Sequence, residues 1–366
     1  MFLIPSLGGG GAEKTASILI PLLAKQFDLV TVLLNGPCVY SLPSEIKLTI
    51  LSPQTDSPLK HIFRIPYHIK AVIRMVRKTQ IDGVLSFMEQ ANIINILAAF
   101  LTGHNIYISQ RTNPIKQYEY KGLLGRLIMG TSKYLYRRAR GIFCVSREIC
   151  SILEEIYHIP RKRLHFIPNP VDTSPIDIFS VESLDLPSPF ILQVGRLNIR
   201  TKAQDVTLRA FKKVLKEVPH LNLVFAGKGP DLEKLRQLAE ELGIHEKVFF
   251  VGWIKDPRAL MLKASVLVLT SRYEGWPNVL TEALWCGCPV IATDCETGPR
   301  EILLDGKCGL LIPTDDVSGL KEAIVRLLTD DELQKRLVTA GLKRAQDFVP
   351  ESIAQRYVEL MESYEE

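Results

Sequence analysis

The sequence lacks the cysteine patterns that mark zinc sites and disulfide scaffolds. Its seven cysteines are scattered along 366 residues and include no C-x-x-C pair. A structural zinc site is therefore not expected, and an odd number of dispersed cysteines fits a reducing compartment such as the cytosol.

The sequence also lacks a long apolar run. The longest apolar window, residues 91–102, contains two asparagines and is too short to span a bilayer. Residues 1–10 have neither a basic region nor a small-residue cleavage site, so we expect no signal peptide. With 46% hydrophobic and 23% charged residues, the chain has the composition of a soluble globular protein, and its length predicts two domains.

Positive charge is concentrated in the first half of the chain. Residues 1–180 contain 21 Lys and Arg against 12 Asp and Glu, whereas the remainder contains 24 against 28. Segments 61–80 and 116–140 interleave basic with aliphatic and aromatic residues, which is typical of helices on an anionic membrane surface. A solvated basic helix packed on its own domain is the alternative. Nucleic acid is a weaker one, because no nucleic-acid-binding motif accompanies the charge.

Strand-like apolar segments alternate with helical segments along most of the chain, which predicts an α/β protein with two Rossmann-like doubly wound domains. Residues 173–189 are rich in Ser, Pro and Asp, break this pattern and are interpreted as a linker. The predicted domains are 1–175 and 188–350. An amphipathic C-terminal helix, 351–366, is predicted to pack back on the first domain.

A glycine-rich turn follows the first predicted strand. Residues 8–11 are four successive glycines, and a helical pattern comes directly after them. In this layout bare backbone N–H groups approach a phosphate at a helix N-terminus. The spacing matches neither the G-x-G-x-x-G fingerprint nor a P-loop, and a merely flexible turn is the alternative.

Two basic residues flank a loop in the second half. Arg196 and Lys202 lie between a predicted strand at 190–194 and a helical segment. A guanidinium binds phosphate oxygens as a fork and an ammonium adds a point charge, so the two favour a phosphate clamp. A single arginine on a loop is more often simply solvated.

Two carboxylates, Glu274 and Glu282, lie eight positions apart in the segment SRYEGWPNVLTE. A buried strand is predicted at 264–270 and a helix after it, which puts Glu274 on the loop and Glu282 one to two turns into the helix. Ligands of open α/β sheets bind at the carboxyl ends of strands, so both acids are candidates for one crevice. Spacing alone leaves two solvated acids equally open.

These motifs occur together, in the order found in one enzyme family: GGGGAEK, GRL with a downstream lysine, AGKGP, VGW, EGWPNVLTEAL and GCPVIATD. With them the chain resembles the family-4 retaining glycosyltransferases, which have the GT-B architecture of two facing Rossmann-like domains. The resemblance covers nearly the whole chain. The turn CETGPREIL resembles bacterial enzymes that extend lipid-linked or lipopolysaccharide glycans with N-acetylhexosamine or galactose.

The resemblance implies roles for the two acids and their surroundings. Glu274 would accept hydrogen bonds from donor-sugar hydroxyls, and Glu282 from the ribose hydroxyls, as suits carboxylate oxygens. The other donor-binding residues that the resemblance and the motifs imply are Gly195, Gly227, Trp253, Gly275, Asn278, Val279, Gly298, Pro299 and Glu301.

The resemblance also implies how the leaving group is handled. Arg196 and Lys202 would neutralise the diphosphate as it departs, aided by the backbone N–H groups of Gly9 and Gly10. Charge builds on that phosphate in the transition state, so these donors stabilise it more than the ground state. The sequence has no Asp-x-Asp triplet, and a basic clamp makes a metal unnecessary. We therefore predict metal-independent transfer with no cofactor.

One position departs from the family pattern. Many members carry a histidine after a first-domain strand where this chain has Arg111. An arginine cannot act as a base at neutral pH. Arg111 is therefore predicted to orient the sugar or the acceptor electrostatically.

The predicted function is transfer of N-acetylgalactosamine, or another hexosamine or hexose, from a UDP-sugar to a membrane-lipid-linked glycan. The product would serve cell-surface polysaccharide or lipopolysaccharide synthesis at the inner face of the cell membrane. A GT-B sugar-nucleotide epimerase acting on UDP-N-acetylhexosamine is the alternative, although the basic amphipathic surface argues against it. A non-enzymatic binding module is disfavoured by the paired acids and cations.

Overall fold

The computed structural model describes residues 1–53, 64–120 and 122–364. The chain divides into two compact units: Met1–Pro170 together with Pro350–Glu366, and Val171–Val349. The segment interpreted as a linker belongs to the second unit and contains a 3-10 helix, Ile178–Leu184. Residues 61–63, 121 and 365–366 of the segments discussed above lie outside the described residues.

The first unit contains a seven-stranded sheet in the order β3-β2-β1-β4-β5-β6-β7, and all pairings between its strands are parallel. Its strands are β1 (Phe2–Ile4), β2 (Val30–Leu33), β3 (Lys47–Ile50), β4 (Gly83–Phe87), β5 (Asn105–Gln110), β6 (Gly141–Cys144) and β7 (Leu164–Phe166). Its helices before the second unit are α1 (Gly11–Leu23), α2 (Ile65–Thr79), α3 (Glu89–Thr102), α4 (Lys116–Glu119), α5 (Gly122–Tyr136) and α6 (Arg147–Glu155).

The second unit contains a six-stranded parallel sheet in the order β10-β9-β8-β11-β12-β13. Its strands are β8 (Phe190–Val194), β9 (Asn222–Ala226), β10 (Val248–Gly252), β11 (Val266–Leu269), β12 (Val290–Thr293) and β13 (Leu310–Ile312). Its helices are α7 (Ile199–Lys202), α8 (Gln204–Val214), α9 (Leu232–Glu241), α10 (Arg258–Met261), α11 (Asn278–Trp285), α12 (Pro299–Ile302), α13 (Val317–Thr329) and α14 (Asp331–Ala345).

The last helix, α15 (Pro350–Glu362), belongs to the first unit, where it packs against α1. Its inward residues include Ile353 and Tyr357, which join the same apolar core as Phe2 and Phe87. The apolar face that the amphipathic spacing of this segment predicts is therefore packed against the core of the first unit.

The inner strands are apolar along their length because helices cover both faces of a parallel sheet. β9, β11 and β12 are buried at every position. The predicted α/β class with doubly wound sheets is confirmed. In each sheet the strand order reverses beside the first strand, at β1–β4 and at β8–β11, and such switch points are where ligands bind.

Candidate active site

Glu274 lies in the loop that follows β11, and its carboxylate is paired. Its Oε1 atom accepts a hydrogen bond from Ser271 Oγ at 2.6 Å and forms an ion pair with Lys202 Nζ. The pair is mostly buried, with side-chain exposures of 11% for Glu274 and 24% for Lys202. Oε2 has no hydrogen-bond partner among the described residues. One carboxylate oxygen is therefore available to accept from a ligand hydroxyl.

The backbone at Lys202 is fixed by side chains from the two strands at the switch point. Thr270, which follows β11, shares its hydroxyl proton between the carbonyl oxygens of Lys202 and Ala203, at 2.9 and 3.0 Å. Gln193 of β8 donates to the Lys202 carbonyl at 3.1 Å. Ala203 has φ 46°, a left-handed conformation uncommon for a residue other than glycine. These contacts position the ammonium before a ligand binds.

A buried thiol lies near the pair. Burial, together with the negative charge of Glu274, raises the pKa of Cys295 to about 12. The thiol therefore stays protonated at neutral pH and is not a nucleophile.

Arg196 differs from Lys202 in its surroundings. Its side chain is exposed and makes no ion pair with any described residue, while its carbonyl oxygen accepts from Gln204 Nε2 at 2.9 Å. The structure thus brings Lys202 and Glu274 into contact and leaves Arg196 on the surface of the loop after β8. That guanidinium is unneutralised.

The loops after β8 and β9 approach so closely that only glycine fits. A Cβ on Gly227 would overlap the carbonyl oxygen of Gly195, and one on Gly229 would overlap that of Leu197. The loops are joined by a hydrogen bond from Gly195 N to the Ala226 carbonyl at 2.9 Å. Gly195 and Gly227 therefore shape this edge of the site, and their contact with a donor stays a prediction.

Trp253 follows the adjacent edge strand, β10, and is partly exposed. Gly227 N donates to the carbonyl of Gly252 at 2.7 Å, so the turn before Trp253 lies against the loop after β9. The Lys228 side chain runs beside this turn. The indole ring thus lies at the end of the row of loops that starts at β11.

The turn before α12 lies against the Glu274 loop. Gly298 has φ 95°, and a Cβ there would lie 2.8 Å from the carbonyl oxygen of Gly275. The Thr297 hydroxyl donates to the carbonyl oxygen of Glu274. α12 begins directly after this turn and contains the remaining predicted residues of the loop, Pro299 and Glu301.

Glu282 is buried on α11, in the turn that follows the first one, as its spacing predicts. Arg258, 1% exposed, lies within electrostatic reach of it and pairs with Asp256 at 2.6 Å and Asp172 at 3.3 Å. Burial lowers the pKa of Arg258, but the Asp256 hydrogen bond and the charges of Asp172, Asp256 and Glu282 raise it overall. The first two residues of α11 are the other predicted donor-binding residues, Asn278 and Val279.

In the first unit, the glycine-rich turn lies beside Glu13 and Arg111. Gly9 has φ 105°, Gly10 precedes α1, and a Cβ on Gly10 would overlap the Glu13 carboxylate. Burial raises the pKa of Glu13, while its own backbone N–H and the charge of Arg111 oppose the rise. The turn after β1 and Arg111, which follows β5, are therefore both close to Glu13. The strands β1 and β5 lie on either side of β4 in the sheet.

Arg111 is buried with hydrogen-bonding capacity to spare. Its guanidinium lies 4.5 Å from the centre of the Phe87 ring, and Nη1 donates to Ser109 Oγ at 3.5 Å. Nε and Nη2 have no hydrogen-bond partner among the described residues. Burial lowers the pKa of Arg111, and the neighbouring Tyr357 and Glu13 oppose this.

Comparison with known proteins accounts for both units. Residues 9–175 match the family described as Glycosyltransferase Family 4, and residues 176–344 match Glycosyl transferases group 1. The chain belongs to the family-4 glycosyltransferases. The family that its motifs resemble is therefore confirmed.

One relative of this glycosyltransferase comes from Campylobacter jejuni. It is the N-acetylgalactosamine-N,N'-diacetylbacillosaminyl-diphospho-undecaprenol 4-alpha-N-acetylgalactosaminyltransferase, 29% identical over 356 residues and covered to 96% in both chains.

Solved structures of low sequence identity share the fold. Sucrose-phosphate synthase from Thermosynechococcus elongatus aligns with a TM-score of 0.82 and 20% identity, over 99% of this chain and 98% of that one. Anabaena HepE, in complex with UDP and glucose, aligns with a TM-score of 0.79 and 19% identity, over 99% of both chains. The predicted GT-B fold is confirmed.

Sequence reasoning missed one acid of this glycosyltransferase. Glu89 follows β4 and accepts from Gln117 Nε2 at 2.8 Å and from the hydroxyls of Tyr118 and Ser132. Met88 before it has φ 71° and ψ 150°, a strained conformation outside glycine. The available signal was an acid two positions after the predicted strand 83–87. Arg111 is likewise two positions after Ser109, the register partner of Phe87.

The surface of α5 in this glycosyltransferase is both basic and apolar. Leu123 and Leu127 are strongly exposed, and Arg126 between them is exposed as well. No helix in the described part of the chain is long and apolar enough to cross a bilayer. In the same residues, no group of three or more His, Cys, Asp or Glu is arranged to hold a metal ion.

Proposed function

We propose that this glycosyltransferase moves a sugar, with retention of anomeric configuration and without a metal, from a UDP-sugar to a membrane-lipid-linked glycan. The sugar is N-acetylgalactosamine or another hexosamine or hexose, and the product serves cell-surface polysaccharide or lipopolysaccharide synthesis. The observation that carries the proposal is the Lys202–Glu274 pair, fixed by Ser271 and Thr270 at the switch point of the second sheet.

The geometry of the pair supports separate roles for its two members. Ser271 and Lys202 both occupy Oε1 of Glu274, which leaves Oε2 to accept from a hydroxyl of the donor sugar. The Lys202 ammonium and the unneutralised guanidinium of Arg196 bind the diphosphate. Negative charge grows on the leaving phosphate as the glycosidic bond breaks, so these cations stabilise the transition state most.

Other residues of each unit have further roles in this proposal. Glu282, buried on α11, accepts from the ribose hydroxyls, and the Gly298 turn borders the sugar. Arg111, whose Nε and Nη2 have no hydrogen-bond partner among the described residues, orients the sugar or the acceptor. Gly10 lies beside Glu13, which is a neighbour of Arg111, and the backbone N–H groups of Gly9 and Gly10 add donors for an anion.

The names of related proteins support the choice of donor and acceptor. The Campylobacter jejuni relative is named as an N-acetylgalactosaminyltransferase of a diphospho-undecaprenol-linked glycan, and it matches 96% of this chain. The HepE structure that shares the fold holds UDP and glucose. A UDP-sugar donor and a lipid-linked acceptor are therefore the first substrates to test.

Peripheral binding to the inner face of the membrane is part of the proposal. The exposed Leu123 and Leu127 on α5 insert at the interface, while Arg126 and the basic residues of α2 contact anionic headgroups. Replacing Leu123, Leu127 and Arg126 with Ser is expected to reduce flotation with anionic liposomes. Unaltered flotation would contradict this part.

A donor screen tests the function. Full-length protein is incubated with radiolabelled UDP-sugars, with and without a membrane lipid extract and with and without EDTA. We expect label to enter the lipid fraction from one UDP-sugar, only when the extract is present, and equally with EDTA. An epimerised UDP-sugar without acceptor would support the epimerase instead, and loss of transfer in EDTA would contradict metal independence.

A further inference from the structure

A basic pocket lies at the opposite edge of the first sheet from Arg111 and the glycine-rich turn. Its volume is about 450 Å³, and it is lined by Arg138, Ala139, Arg140, Lys162, Arg163 and Tyr364. Arg140 directly precedes β6 and Arg163 directly precedes β7, so the pocket is at the amino ends of these strands. The candidate active-site residues all follow carboxyl ends, and the pocket is therefore a separate site.

The walls of the pocket are held by hydrogen bonds. Arg163 Nη1 donates to the Arg137 carbonyl at 2.8 Å, and Arg140 Nη1 donates to Asn105 Oδ1 at 2.7 Å. The hydroxyl of Tyr364 lies 2.7 Å from His165 Nε2. The guanidinium groups of Arg140 and Arg163 are thus each fixed through Nη1, and their other nitrogens donate to no described residue. Those nitrogens can still donate to an incoming oxygen.

The pocket concentrates charge of one sign. Four of its six residues are cationic, and none of the four forms an ion pair with a described residue. Burial raises the pKa of Tyr364, and the positive charges of Arg163 and Arg140 oppose the rise. Like charges held close together repel each other, and an anion between them relieves the repulsion. Planar guanidinium groups match the oxygens of a phosphate in particular.

Exposed apolar side chains adjoin the pocket. Phe100 and Leu101, at the end of α3, are 52% and 63% exposed. The Arg138 guanidinium lies 5.4 Å from the centre of the Phe100 ring, which joins the apolar residues to the pocket. A free phosphate compound has no apolar part to contact Phe100 and Leu101, whereas a phospholipid has acyl chains that can contact them. Cations beside exposed aromatic and aliphatic residues are typical of membrane-facing surfaces.

We propose that this pocket binds the phosphate of an anionic phospholipid headgroup, as a membrane contact separate from α5 and from the sugar-donor site. The phosphate lies among the four cationic side chains, and Phe100 and Leu101 contact the acyl region. The proposal does not depend on which sugar is transferred.

The test compares two double variants of the full-length protein. In Arg138→Gln with Lys162→Gln, two exposed pocket cations are removed whose side chains make no hydrogen bond to a described residue. The matched control, Arg209→Gln with Lys212→Gln, removes two exposed charges from α8 of the second unit. Each variant is sedimented with phosphatidylglycerol-containing vesicles and with purely zwitterionic vesicles at 0.15 M salt.

We expect the pocket variant to bind the anionic vesicles about 10- to 30-fold more weakly than wild type, since each surface cation contributes about a fivefold factor. The control is expected to bind within about twofold of wild type, because it removes the same number of exposed charges and leaves the four cations of the pocket unchanged. Equal binding by the pocket variant and wild type would overturn the proposal.

A second measurement separates a lipid from a free phosphate compound. Calorimetric titration with inorganic pyrophosphate that shows tight, pocket-dependent binding, while vesicle binding stays pocket-independent, would overturn the lipid source. Transfer to a detergent-solubilised acceptor is expected to be unchanged in the pocket variant. Absence of transfer in wild type would count against the proposed function, and the vesicle result would stand apart from it.

Discussion

The two units present their switch points differently. At β8–β11 of the second unit, a lysine and a glutamate of opposite charge are in contact and a threonine fixes the lysine backbone. Beside β1–β4 of the first unit, Arg111 follows β5 and is buried, and its Nε and Nη2 have no hydrogen-bond partner among the described residues. The carboxylate of its acidic neighbour Glu13 accepts a hydrogen bond from that residue's own backbone N–H. The lysine–glutamate pair of the second unit is balanced in charge, whereas Nε and Nη2 of Arg111 in the first unit have no hydrogen-bond acceptor among the described residues. A ligand oxygen would supply one.

The largest expected effect comes from breaking the balanced pair. Lys202→Ala is expected to lower kcat/KM by about 10²- to 10³-fold, because the enzyme loses a preorganised cation that stabilises the negative charge of the leaving phosphate. Lys212→Ala, an exposed lysine on the neighbouring helix, is the control and should leave the rate unchanged. Steady-state kinetics with UDP-sugar and acceptor measure both, and a near-normal rate in Lys202→Ala would contradict the assignment.

The second largest effect is expected from a substitution in the loops after β8 and β9. Gly227→Ala places a methyl group on the carbonyl oxygen of Gly195, so the loops must separate, at a cost of about 1–3 kcal/mol in unfolding free energy. Gly130→Ala is the control, since nothing lies within 4 Å of that position on α5. Urea denaturation reports both, and an unchanged midpoint for Gly227→Ala would show that the loops do not pack as described.

Arg111→Met tests the unbalanced site. Activity is expected to fall about tenfold or more, while the free energy of unfolding stays the same or rises by about 1 kcal/mol, since a buried unsatisfied cation is replaced by an apolar side chain. Lys202→Met should lower both the activity and the free energy of unfolding, because it leaves the mostly buried Glu274 unpaired. Equal loss of stability in the two variants would remove the contrast between the units.

A pH dependence of stability is expected from a buried histidine of the first unit. Burial, with a smaller contribution from the N-terminal charge, lowers the pKa of His104 to about 4. Between pH 6.5 and 4 the unfolded chain binds a proton that the folded chain does not, so stability falls as the pH falls through this window, by about 3 kcal/mol. Stability is unaffected by this group above pH 6.5.

Urea denaturation of wild type and His104→Gln across this pH range checks the effect, and the variant should show a shallower decline. All three tryptophans, at 253, 276 and 285, lie in the second unit. The urea midpoint measured by tryptophan fluorescence, which reports the second unit, should therefore change less with pH than the midpoint measured by circular dichroism of the whole chain. An identical pH slope in the variant would rule out His104 as the cause.

Much of the fold was predictable because parallel strands are short, apolar and regularly spaced. The strand predicted at 264–270 is Val266–Leu269, and that predicted at 190–194 is Phe190–Val194. The end of the first unit was harder: Pro170 closes it, while the Ser- and Pro-rich segment read as a linker is part of the second. Composition signals a break in periodicity but not which core the segment joins.

The sequence predicts which residues belong to the candidate site, but not which of them are in contact. Lys202 and Glu274 are 72 positions apart, and they meet because β8 and β11 are neighbours in the sheet order, which spacing does not encode. Glu89 and Glu13 had no visible partners in the sequence, so their roles emerged only from the structure. Gly227 was predicted as a donor contact, and its packing against Gly195 was not foreseen.

Calorimetric titration with UDP and with the accepted UDP-sugar tests the central claim most directly. If Lys202 holds the diphosphate and Glu274 the sugar, Lys202→Ala weakens both ligands by about tenfold or more, a loss of roughly 1.4 kcal/mol. Glu274→Gln should leave UDP affinity within about twofold and weaken only the UDP-sugar. Unchanged UDP affinity in Lys202→Ala would contradict the account.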